Sequence, residues 1–304
     1  MTAAPASARA KLTQQAAIAS LSMAFFLLGL KFWAAWQTGS VSMLGSLADT
    51  ALDLIASMVT LFSVRLAAQP ADDDHAYGHG KAEALAALFQ TGIISASALA
   101  IGWRGLSLIG TGNRPENPEL GIGVSIAAMI ATLALVSFQR SVVRKTGSVA
   151  IHADRVHYAS DLVLNASVIA ALVLDSMLHV HGADPLFGIG IALWLLWHAK
   201  EVAVRAVDQL MDKEWPEEKR LRFLAVAQGH PELKGIHDLR TRSSGTHEFV
   251  QFHVWVDPGM TVREAHRVMD EIEARLMTEF PGTEILIHPD PEGHSDPERG
   301  HSAD

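Results

Sequence analysis

The stretch AAIASLSMAFFLLGLKFWAAW, residues Ala16–Trp36, decides the fold class, because it runs for 21 residues with Lys31 as its only charged side chain. A helix needs about 20 mainly apolar residues to cross a bilayer. Each of five further stretches is predicted to be a membrane-spanning helix of the same kind: Val41–Ala67, Ala82–Ile109, Leu120–Val143, Val156–Val180 and Pro185–Val207. The sequence therefore predicts a polytopic α-helical membrane protein with six spans.

The composition of the whole chain agrees with this interpretation. The 304 residues have a mean hydropathy of +0.20, a net charge of -9 and 19% charged residues, whereas soluble domains carry about 25%. These values argue against a wholly soluble enzyme, and the acidic balance argues against a nucleic-acid partner. The chain has no cysteine, so any metal must be held by histidines and carboxylates.

The ends of the spans predict the orientation. The first stretch could in isolation be a signal peptide, but it is long for a signal core, lacks a clear small-x-small cleavage site before Gln37 and is followed by five more spans, so a retained helix is favoured. Basic residues collect before the first span and after the second and fourth: Arg9, Lys11, Arg65, Lys81, Arg140, Arg144 and Lys145. By the positive-inside rule, both termini are expected in the cytoplasm.

Polar residues become frequent from Met211 onward, which predicts a second domain. A helical pattern in WPEEKRLRFLAVAQG is followed by two strands, IHDLRTR and EFVQFHVWV, joined by SSGTH, then by the amphipathic TVREAHRVMDEIEARLMTEF and the strand TEILIHPD. This order, αββαβ, predicts a compact cytoplasmic α+β domain of the ferredoxin or metallochaperone type. The predicted organisation is a cytoplasmic segment 1–15, a six-helix transport domain 16–210, a metal-binding dimerisation domain 211–291 and a disordered tail 292–304.

Ionisable residues inside the spans are the first candidate site. Two pairs have the spacing i, i+4, Asp49 with Asp53 in the second span and His157 with Asp161 in the fifth. Such residues are costly in a membrane and are functional candidates by default, and three carboxylates with one imidazole would suit a tetrahedral Zn²⁺ site. The alternative is that they cap helix ends or pair with Lys31 or Arg155.

Two further groups could bind metal. Asp72, His75 and His79 lie close together in a glycine-containing joint, where Asp73 or Asp74 could replace Asp72, and where an ordinary polar loop is the alternative. The C-terminal domain carries a second set of candidates: His237, His253, His266, His288 and Asp290. His288 and Asp290 point the same way on a strand, although each of these residues taken singly could be ordinary surface.

These motifs together resemble the cation diffusion facilitators, and within them the bacterial zinc and ferrous-iron efflux branch. The resemblance runs from about Ala16 to Pro291 and rests on the following segments: LADTALD, DDDHAYGHGKAEALAAL, HADRVHYASDLVLN, GIHDLRTRSSG, FVQFHVWV and IHPDP. It implies a homodimer that exports divalent metal, with Zn²⁺ both as substrate and as a bound structural or regulatory ion.

The resemblance also implies a role for each candidate residue. Asp49, Asp53, His157 and Asp161 would form the transport site. Asp72, His75 and His79 would form a loop site, and the C-terminal set a binuclear site bridged by Asp290. Lys81 and Asp212 would form a charge interlock that holds the dimer together near the membrane surface.

Charge counting predicts the mechanism. The ionised transport site carries three negative charges, and bound Zn²⁺ leaves one, so protons should enter as metal leaves. His157 is the expected proton carrier, because imidazole titrates near neutral pH. The predicted activity is metal/proton antiport by alternating access, not enzymatic catalysis. The alternatives are a membrane-anchored metal sensor and an intramembrane metallohydrolase, and Cd²⁺, Fe²⁺ or Co²⁺ could replace Zn²⁺ as the metal.

Overall fold

Six long helices come first in the chain. The computed structural model describes residues 6–38, 41–108, 119–178 and 183–293. The six helices are α1 (Ala6–Thr38), α2 (Val41–Ala67), α3 (Ala82–Leu108), α4 (Glu119–Thr146), α5 (Val149–Leu178) and α6 (Ala183–Leu210). The helix α5 packs against α2, α3 and α4, so its side chains reach the centre of the group.

The outer surface of these helices is apolar. Trp36, Trp103 and Trp197 are 78%, 76% and 71% exposed, although burial would be expected of such large side chains in water. Four windows of the described residues are long and apolar enough to cross a membrane: Ser7–Trp33, Thr50–Ala67, Ala82–Ser107 and Leu186–Leu210. The prediction of a helical membrane domain is confirmed, and the number of six crossings is consistent with six helices of this length.

Two helices begin earlier than the apolar stretches predict. The helix α1 starts at Ala6, ten residues before Ala16, and α5 starts at Val149, seven residues before Val156. The added residues are ASARAKLTQQ and VAIHADR. They contain five alanines, which favour helix, and charged or polar side chains that interrupt the apolar pattern. A criterion of hydrophobicity therefore marks the membrane part of a helix and misses its polar extension.

The remaining elements form a separate compact unit. Among the described residues, 10–207 belong to one unit, and 6–9 with 208–293 belong to the other. The second unit contains α7 (Glu217–Ala227), β1 (Gly235–Ser244), β2 (His247–Val256), α8 (Val262–Glu279) and β3 (Thr283–Pro291). The predicted order αββαβ is confirmed, while the proposed end of the disordered tail, residues 294–304, lies outside the described residues.

The three strands form one sheet in the order β1-β2-β3, with β1 antiparallel and β3 parallel to β2. The joint between β1 and β2 is shorter than the predicted SSGTH, because the strands extend to Ser244 and from His247, and Gly245 turns the chain with a φ of 59°. A left-handed φ of this kind suits glycine.

One face of the sheet packs on both helices. Val250, Phe252, Val254 and Val256 alternate along β2 and are buried with side chains of α7 and α8. The alternate residues of β2, among them His253 and Trp255, point to the other face, since strand side chains alternate. Polar side chains such as that of His253 therefore lie on the face of the sheet opposite the hydrophobic core.

Candidate metal sites

The first candidate site lies between α2 and α5. His157 Nε2 is 2.9 Å from Asp53 Oδ1, and Asp161 joins them, so that ligand atoms of these residues all lie within 4.8 Å of one another. His157 is buried, and the two aspartates are half-buried. Asp49 lies on α2 one turn before Asp53, but its side chain is outside the described residues.

Two neighbouring cations contact other side chains among the described residues, while the side chain of Asp49 lies outside them. Lys31 donates a hydrogen bond to Thr50 Oγ1 at 2.6 Å, and Arg155 contacts His152 Nδ1 at 3.3 Å. The alternative, in which these two cations pair with the carboxylates, has no such ion pair among the described contacts. One imidazole and its carboxylates therefore face each other across two helices, as metal binding requires.

The second candidate site is the joint between α2 and α3. Asp72 Oδ1 is 3.1 Å from His75 Nδ1, and Asp72 Oδ2 is 3.3 Å from His79 Nε2. The backbone N–H of His75 also donates to Asp72 Oδ1 at 2.7 Å, and this bond holds the pKa of the Asp72 carboxyl below its usual value. Of the three consecutive aspartates, Asp72 is the one grouped with both histidines.

The third candidate site is produced by the register of the sheet. His237 of β1 pairs with His253 of β2, which pairs in turn with His288 of β3. Three histidines thus stand side by side on neighbouring strands, with the ring centroids of His237 and His253 5.4 Å apart and those of His253 and His288 4.6 Å apart. Spacing along the sequence could not predict this register.

Asp290 lies at the centre of the row. His253 Nδ1 donates to Asp290 Oδ2 at 2.7 Å, His237 Nε2 is 3.2 Å from the same oxygen, and His288 Nε2 is 3.2 Å from Asp290 Oδ1. Burial raises the pKa of Asp290, but the hydrogen bond from His253 and the charges of the neighbouring histidines together lower it by more. The pKa of Asp290 therefore lies below its usual value. One carboxylate with two oxygens facing different histidines is suited to bridging two ions.

His266 is not brought to this row. It lies on α8, on the helix-covered side of the sheet, where its Nδ1 is 3.5 Å from Asp270 Oδ1. Because the core separates α8 from the outer face of the sheet, His266 and Asp290 of one chain are on opposite sides. A ligand role for His266 stays a prediction, as does the interlock of Lys81 with Asp212.

Other residues beside the row were not predicted from sequence. Asp238 Oδ2 lies 3.8 Å from His253 Nε2, at a break in the strand register where Asp238 has a φ of 49°. Trp255 stacks on His237 with ring centroids 4.3 Å apart. Gly235 makes room for this stack, since a Cβ there would lie 2.8 Å from the Trp255 ring. A bulge and a cross-strand stack give no pattern in a single sequence.

Comparison with known proteins decides the family. Residues 17–211 match the cation efflux transmembrane domain, and residues 215–292 match the cytoplasmic domain of cation efflux proteins. The chain belongs to the cation efflux family. This assignment confirms the resemblance to cation diffusion facilitators, and it identifies the protein as a membrane transporter of metal cations and not an enzyme.

Relatives within the family are similar over nearly their full length. The cation-efflux pump FieF of Yersinia enterocolitica is 44% identical over 282 residues, covering 93% of this chain and 94% of that protein. FieF of Cronobacter sakazakii is 41% identical over 281 residues, covering 92% and 93%. Among solved structures, the Zn form of CzrB is 38% identical and covers 28% of this chain and 98% of that chain, with a TM-score of 0.27.

Proposed function

We propose that this transporter exports divalent metal ions, with Zn²⁺ preferred and Cd²⁺ or Fe²⁺ also accepted, in exchange for protons. The observation that carries the proposal is the contact of His157 Nε2 with Asp53 Oδ1 at 2.9 Å inside the helical domain. A proton held between an imidazole and a carboxylate occupies the positions that a metal ion needs. Metal and proton therefore compete for the same pair of side chains.

Charge balance makes this competition an exchange. Metal ligands must be deprotonated, so binding releases protons. If Asp49 completes the set with Asp53, His157 and Asp161, bound Zn²⁺ leaves one negative charge, and the metal-free site regains neutrality by taking up protons. Alternating access of this site to the two sides of the bacterial cytoplasmic membrane would couple metal export to inward proton flow.

The other two sites have supporting roles in this proposal. The loop group of Asp72, His75 and His79 is a peripheral metal site. The row of His237, His253 and His288 around Asp290 is a binuclear site in a cytoplasmic domain that pairs with a second copy of the chain, and the predicted ligand His266 would have to reach it from that second copy. The domain boundaries at 15/16, 210/211 and 291/292, cytoplasmic termini and a homodimer locked by Lys81 and Asp212 belong to the same proposal.

Transport measurements in proteoliposomes test the first step. Asp53→Ala and Asp161→Ala are expected to abolish Zn²⁺ flux driven by an imposed pH gradient, because each variant removes a ligand that faces its partners instead of the lipid. Loss of a ligand should weaken binding by more than the roughly 10 to 100-fold cost of changing a supporting residue. Glu201→Gln is the control, since Glu201 is a half-exposed carboxylate of α6 that pairs with Arg205.

The outcome also separates the alternatives. Normal flux in Asp53→Ala and Asp161→Ala would rule out the transport site between α2 and α5. Retained metal response without any flux in the unmodified protein would indicate a membrane-anchored sensor. Flux that is unaffected by the pH gradient and accompanied by no proton movement would contradict antiport while leaving metal efflux in place.

A further inference from the structure

A carboxylate outside the proposed metal ligands lies at the centre of the helical domain. Asp154, on α5, is fully buried. Its Oδ1 accepts a hydrogen bond from Gln90 Nε2 at 3.1 Å, and its Oδ2 accepts one from Gln139 Nε2 at 2.7 Å. Both donors are neutral amides, on α3 and α4, so neither compensates the charge of an ionised carboxylate.

The two glutamines extend the contacts to two more helices. Gln90 Nε2 also donates to Thr60 Oγ1 of α2 at 2.6 Å, and Gln139 Nε2 donates to Ser20 Oγ of α1 at 2.9 Å. Side chains of five helices therefore meet around one acid. Buried polar networks of this kind are costly unless their members are fully hydrogen-bonded.

This network leaves two acceptors unused. The carbonyl oxygens Gln90 Oε1 and Gln139 Oε1 are buried without a hydrogen-bond partner in the described part of the chain, although buried polar atoms are nearly always paired. A protonated carboxyl group is a donor that requires an acceptor. Because an amide has nearly the same shape when turned over, either glutamine can present its oxygen to Asp154. The same side chains can thus surround the ionised or the protonated acid.

One ionisable neighbour of Asp154 belongs to the transport site. The elements packed around the acid present Ser20, Thr60, Gln90 and Gln139, which carry no charge. The ionisable groups that interact with it electrostatically are His157 and Tyr158, one turn further along α5. A carboxyl group removed from water without a cation takes up a proton. His157 is the transport-site group that acts on Asp154, and Zn²⁺ at His157 would replace a single proton there. The positive charge on the side of the site nearest Asp154 would therefore rise, which favours release of the Asp154 proton.

Polar groups connect the network to the transport site. The Tyr158 hydroxyl donates to the Ser20 carbonyl oxygen at 3.0 Å and lies 3.0 Å from Ser57 Oγ. Ser57 is one turn from Asp53 on α2, and the ring of Tyr158 meets His157 edge-on with centroids 5.6 Å apart. The transport site and Asp154 are therefore connected through Tyr158, Ser20 and Gln139.

We propose that Asp154 is a second proton-binding site of the transporter, which holds a proton while the transport site is free of metal and releases it when metal binds. This inference rests on the proposed metal/proton antiport. In the step, the carboxyl O–H bond breaks, the carboxylate keeps the electron pair, and the proton passes to solvent. No oxidation or reduction takes place. Asp154 would add one proton to those displaced from the metal ligands themselves.

Counting protons tests the assignment on the full-length protein in lipid nanodiscs. Zn²⁺ is titrated calorimetrically in buffers of different protonation enthalpy, which gives the number of protons released per ion. Asp154→Asn keeps the shape of the side chain but has no carboxyl proton, so it is expected to release fewer protons than the unmodified protein, by up to one per Zn²⁺. Gln139→Met removes an amide that stabilises the ionised acid and is expected to shift the same release to higher pH.

The outcomes are distinct. Equal proton counts in Asp154→Asn and the unmodified protein, or a larger count in the variant, would overturn the second proton site and leave Asp154 as a structural tie between helices. Absence of any proton release in the unmodified protein would instead overturn the antiport, and this inference with it. If Asp154→Asn does not fold, infrared difference spectra of the unmodified protein and of Gln139→Met decide. The band of the protonated carboxyl group should disappear when Zn²⁺ is added, and in Gln139→Met this loss should occur at higher pH. A band whose pH dependence is the same in both proteins overturns the proposal.

Discussion

At the scale of single residues, the choice of one nitrogen ligand is the most consequential feature of the proposed transport site. His157 contacts Asp53 across the helix interface, and it is the only imidazole in the set with Asp161. Imidazole favours borderline ions such as Zn²⁺, whereas carboxylates favour hard ions. The spacing i, i+4 places both members of a pair on one helical face, and the structure brings Asp53, His157 and Asp161 together. Their role as metal ligands stays a prediction.

Replacing His157 by Asp should therefore change the metal ranking. The variant is expected to lose the preference for Zn²⁺ and Cd²⁺ over Mn²⁺, with Zn²⁺ affinity falling by more than about 10 to 100-fold. The pH dependence of binding should also move, because only coupled carboxylates remain and their apparent pKa values belong to the cluster. Binding isotherms for the three ions over a pH series measure both effects.

The matched control for this substitution is His198→Asp, at a half-exposed histidine of α6 that lies 3.5 Å from Glu201. It should leave the metal ranking and the proton release unchanged. If His157→Asp behaves like the control, His157 is neither a ligand nor a proton carrier, and α5 contributes through Asp161 alone.

Residues that no pattern singled out have contacts as specific as those of the predicted ones. Asp154, Gln90 and Gln139 are joined by the packing of α3, α4 and α5. Gln90 and Gln139 are polar residues inside predicted spans, so a search for single polar residues in spans would have found them. Asp154 precedes the predicted start of the fifth span at Val156, and such a search would have missed it.

At the scale of secondary-structure elements, the boundaries of α2 and α3 could be predicted closely because glycines, prolines and charges end the apolar runs sharply. The helix α8 begins directly after Thr261, which caps it. Thr261 Oγ1 accepts from Glu264 N at 3.3 Å, while the Glu264 carboxylate accepts from Thr261 N at 2.8 Å. This reciprocal pair is a capping box.

The capping box should make the stability of the C-terminal unit depend on pH. The hydrogen bond from the Thr261 backbone lowers the pKa of Glu264, so its stabilising effect is complete above the unfolded pKa of about 4.3 and is lost as pH falls through the folded value. The stability difference between the unmodified protein and Glu264→Gln should therefore shrink as the solution is acidified. Thr261→Ala should lower the free energy of unfolding by about 0.5–2 kcal/mol.

Urea unfolding of residues 211–293 between about pH 3 and pH 7 measures these differences, with the pH range set to bracket the unfolded pKa of a glutamate. This fragment contains its own core, in which Trp215, Phe223, Phe252 and Ile272 are buried together. Glu273→Gln, on the same helix but outside the cap, is the control. A Glu264→Gln effect that is constant across the pH range would contradict the capping role.

At the scale of the whole molecule, the sequence predicts the helices and strands, but strand pairing and packing determine which of their residues become neighbours. Alternation along β2 indicated which residues share a face, but only the observed register brings His237, His253 and His288 into one row. The other face of β2 is covered by α8, which carries His266, so His266 lies on the opposite side of the sheet from the row. Residues far apart in sequence become neighbours through strand pairing and helix packing. Neither of these produces a periodic pattern in the sequence.

The presence of two separately buried cores leads to the last prediction. The full-length protein is expected to show two thermal transitions, because each unit can unfold without exposing the core of the other.

If metal binds around Asp290, it stabilises the C-terminal unit by mass action, about 2.7 kcal/mol at a free metal concentration 100 times Kd. A chelator should then lower the transition of that unit by about 10–20 °C for a domain of this size. Asp290→Asn should remove the chelator effect, since this carboxylate faces all three histidines of the row, whereas Glu284→Gln, an exposed carboxylate of the same strand, should keep it. Differential scanning calorimetry with and without chelator decides the point: a C-terminal transition that is indifferent to chelator in the unmodified protein would mean that the row of histidines holds no metal.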